Sequence, residues 1–164
     1  MPAKRPALPK LVLFNRQKSQ PVPLPWLRRI AKSALPACLA EPGGEESVLA
    51  DCGEIEVSLV SDEAIARVHG EFMDDPTPTD VITFHHGEIL VSVETARREG
   101  PGHGNTAEEE TLLYIIHGLL HLNGYTDLRE PDRSVMHRLQ ERILASVLKR
   151  PHPLSEVGPT NVPT

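Results

Sequence analysis

Apolar residues recur along this chain at two periods, and the changes between them divide it into elements. Leu11-Val-Leu-Phe14 is a short apolar run that predicts a first strand. Between Pro25 and Leu39, Trp26, Ile30 and Leu35 are spaced for an amphipathic helix with Pro25 in its first turn. Pro42-Gly-Gly-Glu-Glu predicts a loop, and Glu54-Ile-Glu-Val-Ser-Leu59 alternates as a half-buried strand does. Ser61-Asp-Glu-Ala caps a helix reaching about His69. The proline-punctuated stretch from Asp74 to Asp80 predicts a rigid loop. Val81 to Phe84 and Glu88 to Val93 read as neighbouring strands, with His85-His86-Gly87 as the hairpin turn between them.

A short helix from Glu94 and a glycine-rich loop, Gly100 to Asn105, come next. Thr106-Ala-Glu-Glu is a capping signature that opens a long apolar helix ending near Asn123. A last helix runs from about Pro131 to Lys149. The ends, 1–9 and 151–164, are rich in proline and polar residues and predict disordered tails around one domain spanning 11–150.

Charge changes the picture at one end. The first 40 residues hold eight of the 17 Lys and Arg, and all 23 Asp and Glu lie beyond them. A basic arm over residues 1–10 is compatible with a nucleic-acid partner and equally with a solvated tail. The net charge of −6 argues against a broad, non-specific DNA-binding surface. The apolar runs are far shorter than the ~20 residues of a membrane span. The basic start lacks the apolar stretch of a secretory signal. Cys38 and Cys52 are too few for a disulfide framework or a thiolate zinc site, so a reducing cytoplasm is the expected compartment.

The chemistry concentrates in His117-Gly-Leu-Leu-His121-Leu-Asn-Gly124-Tyr-Thr-Asp127. Two histidines four residues apart share one helix face, a glycine ends the helix, and a carboxylate follows. Glu110, Tyr114, His117 and His121 form one stripe, while leucines and isoleucines cover the other sides. A helix apolar nearly all round is buried, so both imidazoles need partners. A shared cation supplies one for both; two core histidines bonded to carbonyls is the plainer alternative. Three ligands with an open fourth position is the layout of catalytic rather than structural zinc. The spacing matches the extended metzincin motif with Asp as third ligand, but Gly118 stands where zinc proteases carry their general-base glutamate. Peptide hydrolysis by that mechanism is therefore not expected.

HGLLHLNGYTD resembles the HGxLHLxGYDH signature of the YbeY family of rRNA maturation factors. Pro78-Thr-Asp-Val-Ile-Thr-Phe84 is similar to the family's PTDVLSF, Gly87-Glu-Ile-Leu-Val-Ser92 to its GDIxIS, and Val60 to Ile65 to the segment before its first central helix. The resemblance spans roughly residues 54 to 148. It implies an α+β fold, a small mixed four-stranded sheet packed by about five helices, with a zincin-like metal helix. It also implies a single-strand-specific, metal-dependent endoribonuclease acting in rRNA maturation and ribosome quality control. Zn2+, or another divalent metal, would be held by His117, His121 and Asp127. Single-stranded rRNA and the ribosome or its proteins would be the partners, with no membrane involved.

Two departures stand out. Position 127 is Asp where the family has His, which adds negative charge and widens the plausible metals toward harder ions. A shifted site using Asp132 or His137 is the alternative to Asp127. Met73 falls where the family carries an arginine thought to contact RNA; Arg97, Arg98, His85 or His86 are candidates to replace it. Asp80 and Tyr114 are candidate orienting groups, with turn capping and packing as their plainer roles. A non-catalytic ribosome-assembly factor with a structural metal site is the alternative function.

Overall fold

The computed structural model describes residues 7–151; the tails expected at the two ends lie largely outside them. Four strands form one mixed sheet: β1 (Lys10–Asn15), β2 (Glu54–Val60), β3 (Val81–Phe84) and β4 (Glu88–Ser92). Their order across the sheet is β1-β2-β4-β3, with β1, β2 and β4 parallel and β3 antiparallel at the edge. Five α-helices pack around it: α1 (Leu24–Ala40), α2 (Asp62–Met73), α3 (Val93–Glu99), α4 (Ala107–Leu122) and α5 (Asp132–Val147). The α+β class, the mixed four-stranded sheet and the five helices are as the sequence implied.

Strand alternation sends side chains to opposite faces, and here it makes two unequal cores. Ile55, Val57 and Leu59 of β2 and Ile89 and Val91 of β4 join the large core formed with α1, α3, α4 and α5. Val60, Ile82 and Leu90 face the other way, onto Ile65 of α2. That second face is only partly covered. Near β1 it carries Ser58 and Glu56, both bonded by the Arg16 guanidinium.

α4 is the central element. Its Thr106 hydroxyl accepts the Glu109 N–H at 3.2 Å, while the Glu109 carboxylate accepts the Thr106 N–H at 2.8 Å. This reciprocal cap contributes about 1 kcal/mol. Eleven of its 16 residues are buried, so packing rather than propensity holds it. Gly118 sits on the face against β4, where an added Cβ would lie 2.8 Å from Ile89 Cγ2.

Two details differ from the pattern. α2 continues past His69 to Met73. Gly70 does not stop it; an added Cβ there would lie 3.3 Å from Pro76 Cα, so the small residue admits the following loop. In α1 the buried stripe is Leu27, Ala31, Ala34, Leu35 and Cys38, while Trp26 and Ile30 are only partly buried at its edge. Small residues let α1 lie close over the core, and the indole is too large for that seam.

Gly118→Glu, which would restore the protease-type glutamate, is expected to destabilise the fold by about 3 kcal/mol or more, since it overpacks Ile89 and buries an unpaired carboxylate. Urea unfolding checks this; a midpoint unchanged from wild type would contradict the packing.

Candidate metal centre

His117 and His121 lie one turn apart near the end of α4, their Nε2 atoms 2.9 Å from each other and their rings edge to face. Each Nδ1 is committed elsewhere. That of His117 meets Gln140 Oε1 of α5 at 2.6 Å, and that of His121 meets the Tyr125 carbonyl at 3.0 Å. An oxygen acceptor makes each Nδ1 the N–H donor, which leaves both Nε2 atoms as lone-pair donors. Two such lone pairs facing each other repel unless an electron-deficient centre lies between them.

Asp127 completes the group, its two carboxylate oxygens 3.3 Å from His117 Nε2 and 3.6 Å from His121 Nε2. Donors around a tetrahedral zinc with bonds of about 2.0–2.1 Å are roughly 3.3–3.4 Å apart. The residues therefore fit a divalent cation in both chemistry and spacing. Among the described residues this trio is the one cluster of three or more His, Cys, Asp or Glu close enough to share an ion.

The turn that delivers Asp127 is pinned from two sides. Gly124 has φ +92°, and an added Cβ would come within 2.6 Å of the Gly44 nitrogen. Asn123 donates to the carbonyls of Cys38 and Glu41 at 2.9 and 3.1 Å, and accepts from the Ser47 hydroxyl. From α5, Arg133 donates to the carbonyls of Asp127 and Leu128. Loop 42–47, remote in sequence, and the first turn of α5, close by, thus fix Asp127.

Where a proton rather than a cation is shared by the trio, the hydrogen bond from His117, followed by the nearby charge of His121, holds the Asp127 carboxyl down at about 2 against the effect of burial. Burial works against charge on His117, yet Asp127 and Gln140 raise it overall. Burial and then the neighbouring charge of His117 push His121 down.

The trio stands where two clefts meet. One, of 760 Å³, runs past Asp80, Tyr114 and Arg98 to His103 and Glu110. The other, of 620 Å³, runs past Thr83 and His85 to Met73 and Leu128. Asp80 lines both, and its Oδ1 accepts the Val81 N–H at 2.8 Å, so it also caps the start of β3. Tyr114 is buried, its hydroxyl pKa driven up by burial and then by Glu110. His85 reaches the second cleft. Arg97 does not reach either: it binds the Gln20 side chain and lines a separate depression, whereas Arg98, tied to Asp62 and Thr95, faces the first cleft. Asp132 opens α5 outside the trio, and His137 lines the cleft without joining it.

Sequence reasoning missed Gln140, whose role depends on how α5 crosses α4; it placed Glu110 on the His117 stripe as a possible partner of that histidine but not with His103 and Asn105. That carboxylate is fully buried and accepts from His103 at 2.7 Å and Asn105 at 2.8 Å. The sequence signal was an acid on the polar stripe of an otherwise apolar helix.

The fold and this cluster define an α+β protein with a candidate metal-binding cleft on its central helix. Residues 13–148 match the family described as Endoribonuclease YbeY. The chain belongs to the YbeY endoribonuclease family. It is 36% identical over 148 residues to the Endoribonuclease YbeY of Thermus thermophilus, covering 82% of this chain and 99% of that one. The Protochlamydia amoebophila protein of the same name is 36% identical over 109 residues, covering 60% and 73%. The solution structure of TM1509 from Thermotoga maritima shares the fold, with a TM-score of 0.54 at 24% identity, covering 93% of this chain and 99% of that one.

The hydrogen bond to Glu110 raises the His103 pKa above its ordinary 6.5. The stability this pair adds is fully present below the unfolded value and is lost as pH rises through the folded one. NMR titration is expected to place the His103 midpoint above 6.5, and Glu110→Gln to bring it down. A wild-type midpoint at or below 6.5 would contradict the pairing.

Proposed function

We propose that this chain is a metal-dependent endoribonuclease that hydrolyses phosphodiester bonds in single-stranded ribosomal RNA, serving rRNA maturation and ribosome quality control in the cytoplasm. One observation carries the reading. Three donor side chains converge on one point, and His117 and Asp127 among them line two clefts at once. Membership in an endoribonuclease family supports RNA as the substrate. On this reading residues 11–150 are the nuclease domain, and the ribosome or its proteins are the setting in which the RNA is met.

His117, His121 and Asp127 would hold the cation, with Zn2+ favoured by the two imidazoles and harder ions admitted by the carboxylate. When bound, a divalent cation supplies a Lewis acid for phosphate oxygen and lowers the pKa of water. The protein does the rest. Gln140 and the Tyr125 carbonyl lock the tautomer and orientation of both rings. Asp127 brings a negative charge that offsets the cation's. Asp80, with Oδ1 committed to β3, has Oδ2 available to accept a proton from water or a substrate hydroxyl beside the trio. Arg98 offers the first cleft a guanidinium for phosphate. Met73 offers none to the second.

A structural metal in a non-catalytic assembly factor would be enclosed by four protein ligands. Three donors facing two clefts fit catalysis better.

Metal analysis of purified protein is expected to give one divalent ion per chain. His117→Ala should lose it and slow cleavage of single-stranded rRNA at least about 100-fold. Wild type that retains the ion yet cleaves no faster than His117→Ala would defeat the nuclease reading. Gln140→Leu is expected to weaken Zn2+ binding about 10- to 100-fold while the protein stays folded, measured by competition with a chromophoric chelator. Unchanged affinity would remove Gln140 from the site.

A further inference from the structure

β1 forms one edge of the sheet and pairs with β2 on one side only. Lys10 N–H donates to the Gly53 carbonyl and Arg16 N–H to that of Leu59, so the even-numbered residues turn their main chain toward β2. The N–H and C=O groups of Leu11, Leu13 and Asn15 then face outward, since alternate residues of a strand bond to opposite sides. Among the described residues one of these groups is taken: the Leu13 carbonyl accepts from the Arg28 guanidinium at 3.1 and 3.3 Å.

A groove of 430 Å³ follows this edge between β1 and α1. Leu11 and Leu13 line it from the core side, and Leu8, 59% exposed, lies at one end. Its charged lining is of one sign: Lys10, Arg28 and Lys32, all exposed, with no acid beside them. Elsewhere Arg16, Arg98, Arg142 and Arg150 each meet a carboxylate. The three cations of the groove have no such partner among the described residues, and the first 40 residues of the chain hold no acid. Spacing gives this charge a pattern. Arg28 and Lys32 are four residues apart on α1, a rise of about 6 Å. Every second residue of an extended chain recurs at about 6.6 Å, so carboxylates at alternate positions of a strand match the two cations.

We propose that the β1 edge is a docking site for an acidic, extended segment of a partner protein. The segment adds a strand beside Leu11 and Leu13, rests apolar side chains on Leu8 and sets its carboxylates against Arg28 and Lys32. Main-chain donors and acceptors repeating along an edge are complementary to another peptide backbone. A nucleic acid would use the cations but leave those groups and Leu8 unmatched. A second copy would bring the same three cations against themselves. The site is independent of the nuclease reading: β1 and β3 are opposite edges of the sheet, and β3 is the one that lines the metal cleft with Thr83. A partner on β1 leaves that cleft open.

NMR titration of the isotope-labelled protein with a capped heptapeptide alternating valine and glutamate tests this. The Leu11 and Leu13 amide signals are expected to shift, with a dissociation constant below about 1 mM. The same peptide with lysine for glutamate should bind at least about 10-fold more weakly. A version with proline for valine keeps the charge but resists strand pairing, and should also lose binding. Lys32→Glu is expected to weaken the glutamate peptide about 3- to 10-fold and to strengthen the lysine one. Leu11 and Leu13 signals unmoved at about 1 mM peptide overturn the docking site. Equal binding of the two charge types, or of the proline version, overturns it as well. Decauridylate that moves these signals more strongly than the glutamate peptide assigns the groove to RNA instead. Dimers of the free protein that Leu8→Ser dissociates, seen by sedimentation, assign it to a second copy. Lys32 and Leu8 are exposed, so native circular dichroism is expected of both variants; should either fold poorly, the three peptides on wild type decide alone.

Discussion

α4 is enclosed on nearly every side, and the arrangement of the molecule follows from what its faces can accept. Against β4 the helix comes so close that position 118 has room only for hydrogen, with Ile89 filling the space a side chain would take. Toward α1 it meets a seam of small residues, Ala31, Ala34 and Cys38. One stripe remains in which polar groups survive burial, and each member has a partner there. Glu110 has His103 and Asn105, His117 has Gln140, and His121 has the Tyr125 carbonyl. The contact at Gly118 also turns the second motif position into the sheet. A general base on that residue is excluded by packing as well as by sequence.

The same constraint shapes the site's electrostatics. Buried imidazoles resist charge, and a carboxylate beside them favours it. At 2.9 Å the two rings take opposite directions, His117 up and His121 down, while Asp127 is held at about 2. A divalent cation would satisfy all three groups at once. The Asp127 carboxylate contributes charge that a third imidazole would not, so a cation held there would be less electrophilic than one held by three histidines.

The two clefts differ in how they can hold a polymer. The first has Arg98 and the His103–Glu110 pair; the second has aromatic and apolar side chains with acids and, among the described residues, no fixed cation. The asymmetry gives the trio one side with a guanidinium and another without. The extension of α2 to Met73 brings that residue to the wall of the second cleft.

Much of this was legible in the chain. Local signals set the elements: the capping box at Thr106, the hairpin turn through Gly87 and the alternation of β2 depend on neighbours a few residues away. The i, i+4 histidines and the glycine after them also declare themselves, because helix periodicity is a local property. The length of α2 was misjudged, because Gly70 answers to Pro76 across a loop rather than to helix propensity. The tertiary structure alone decided Gln140 as partner of His117, Arg98 rather than Arg97 at the cleft, and the clamp of Asn123 on loop 42–47. Each depends on which faces of remote elements meet. Sequence determines which residues can ligate, cap or stack; only the packing of α4 against β4, α1 and α5 decides which of them share a point in space.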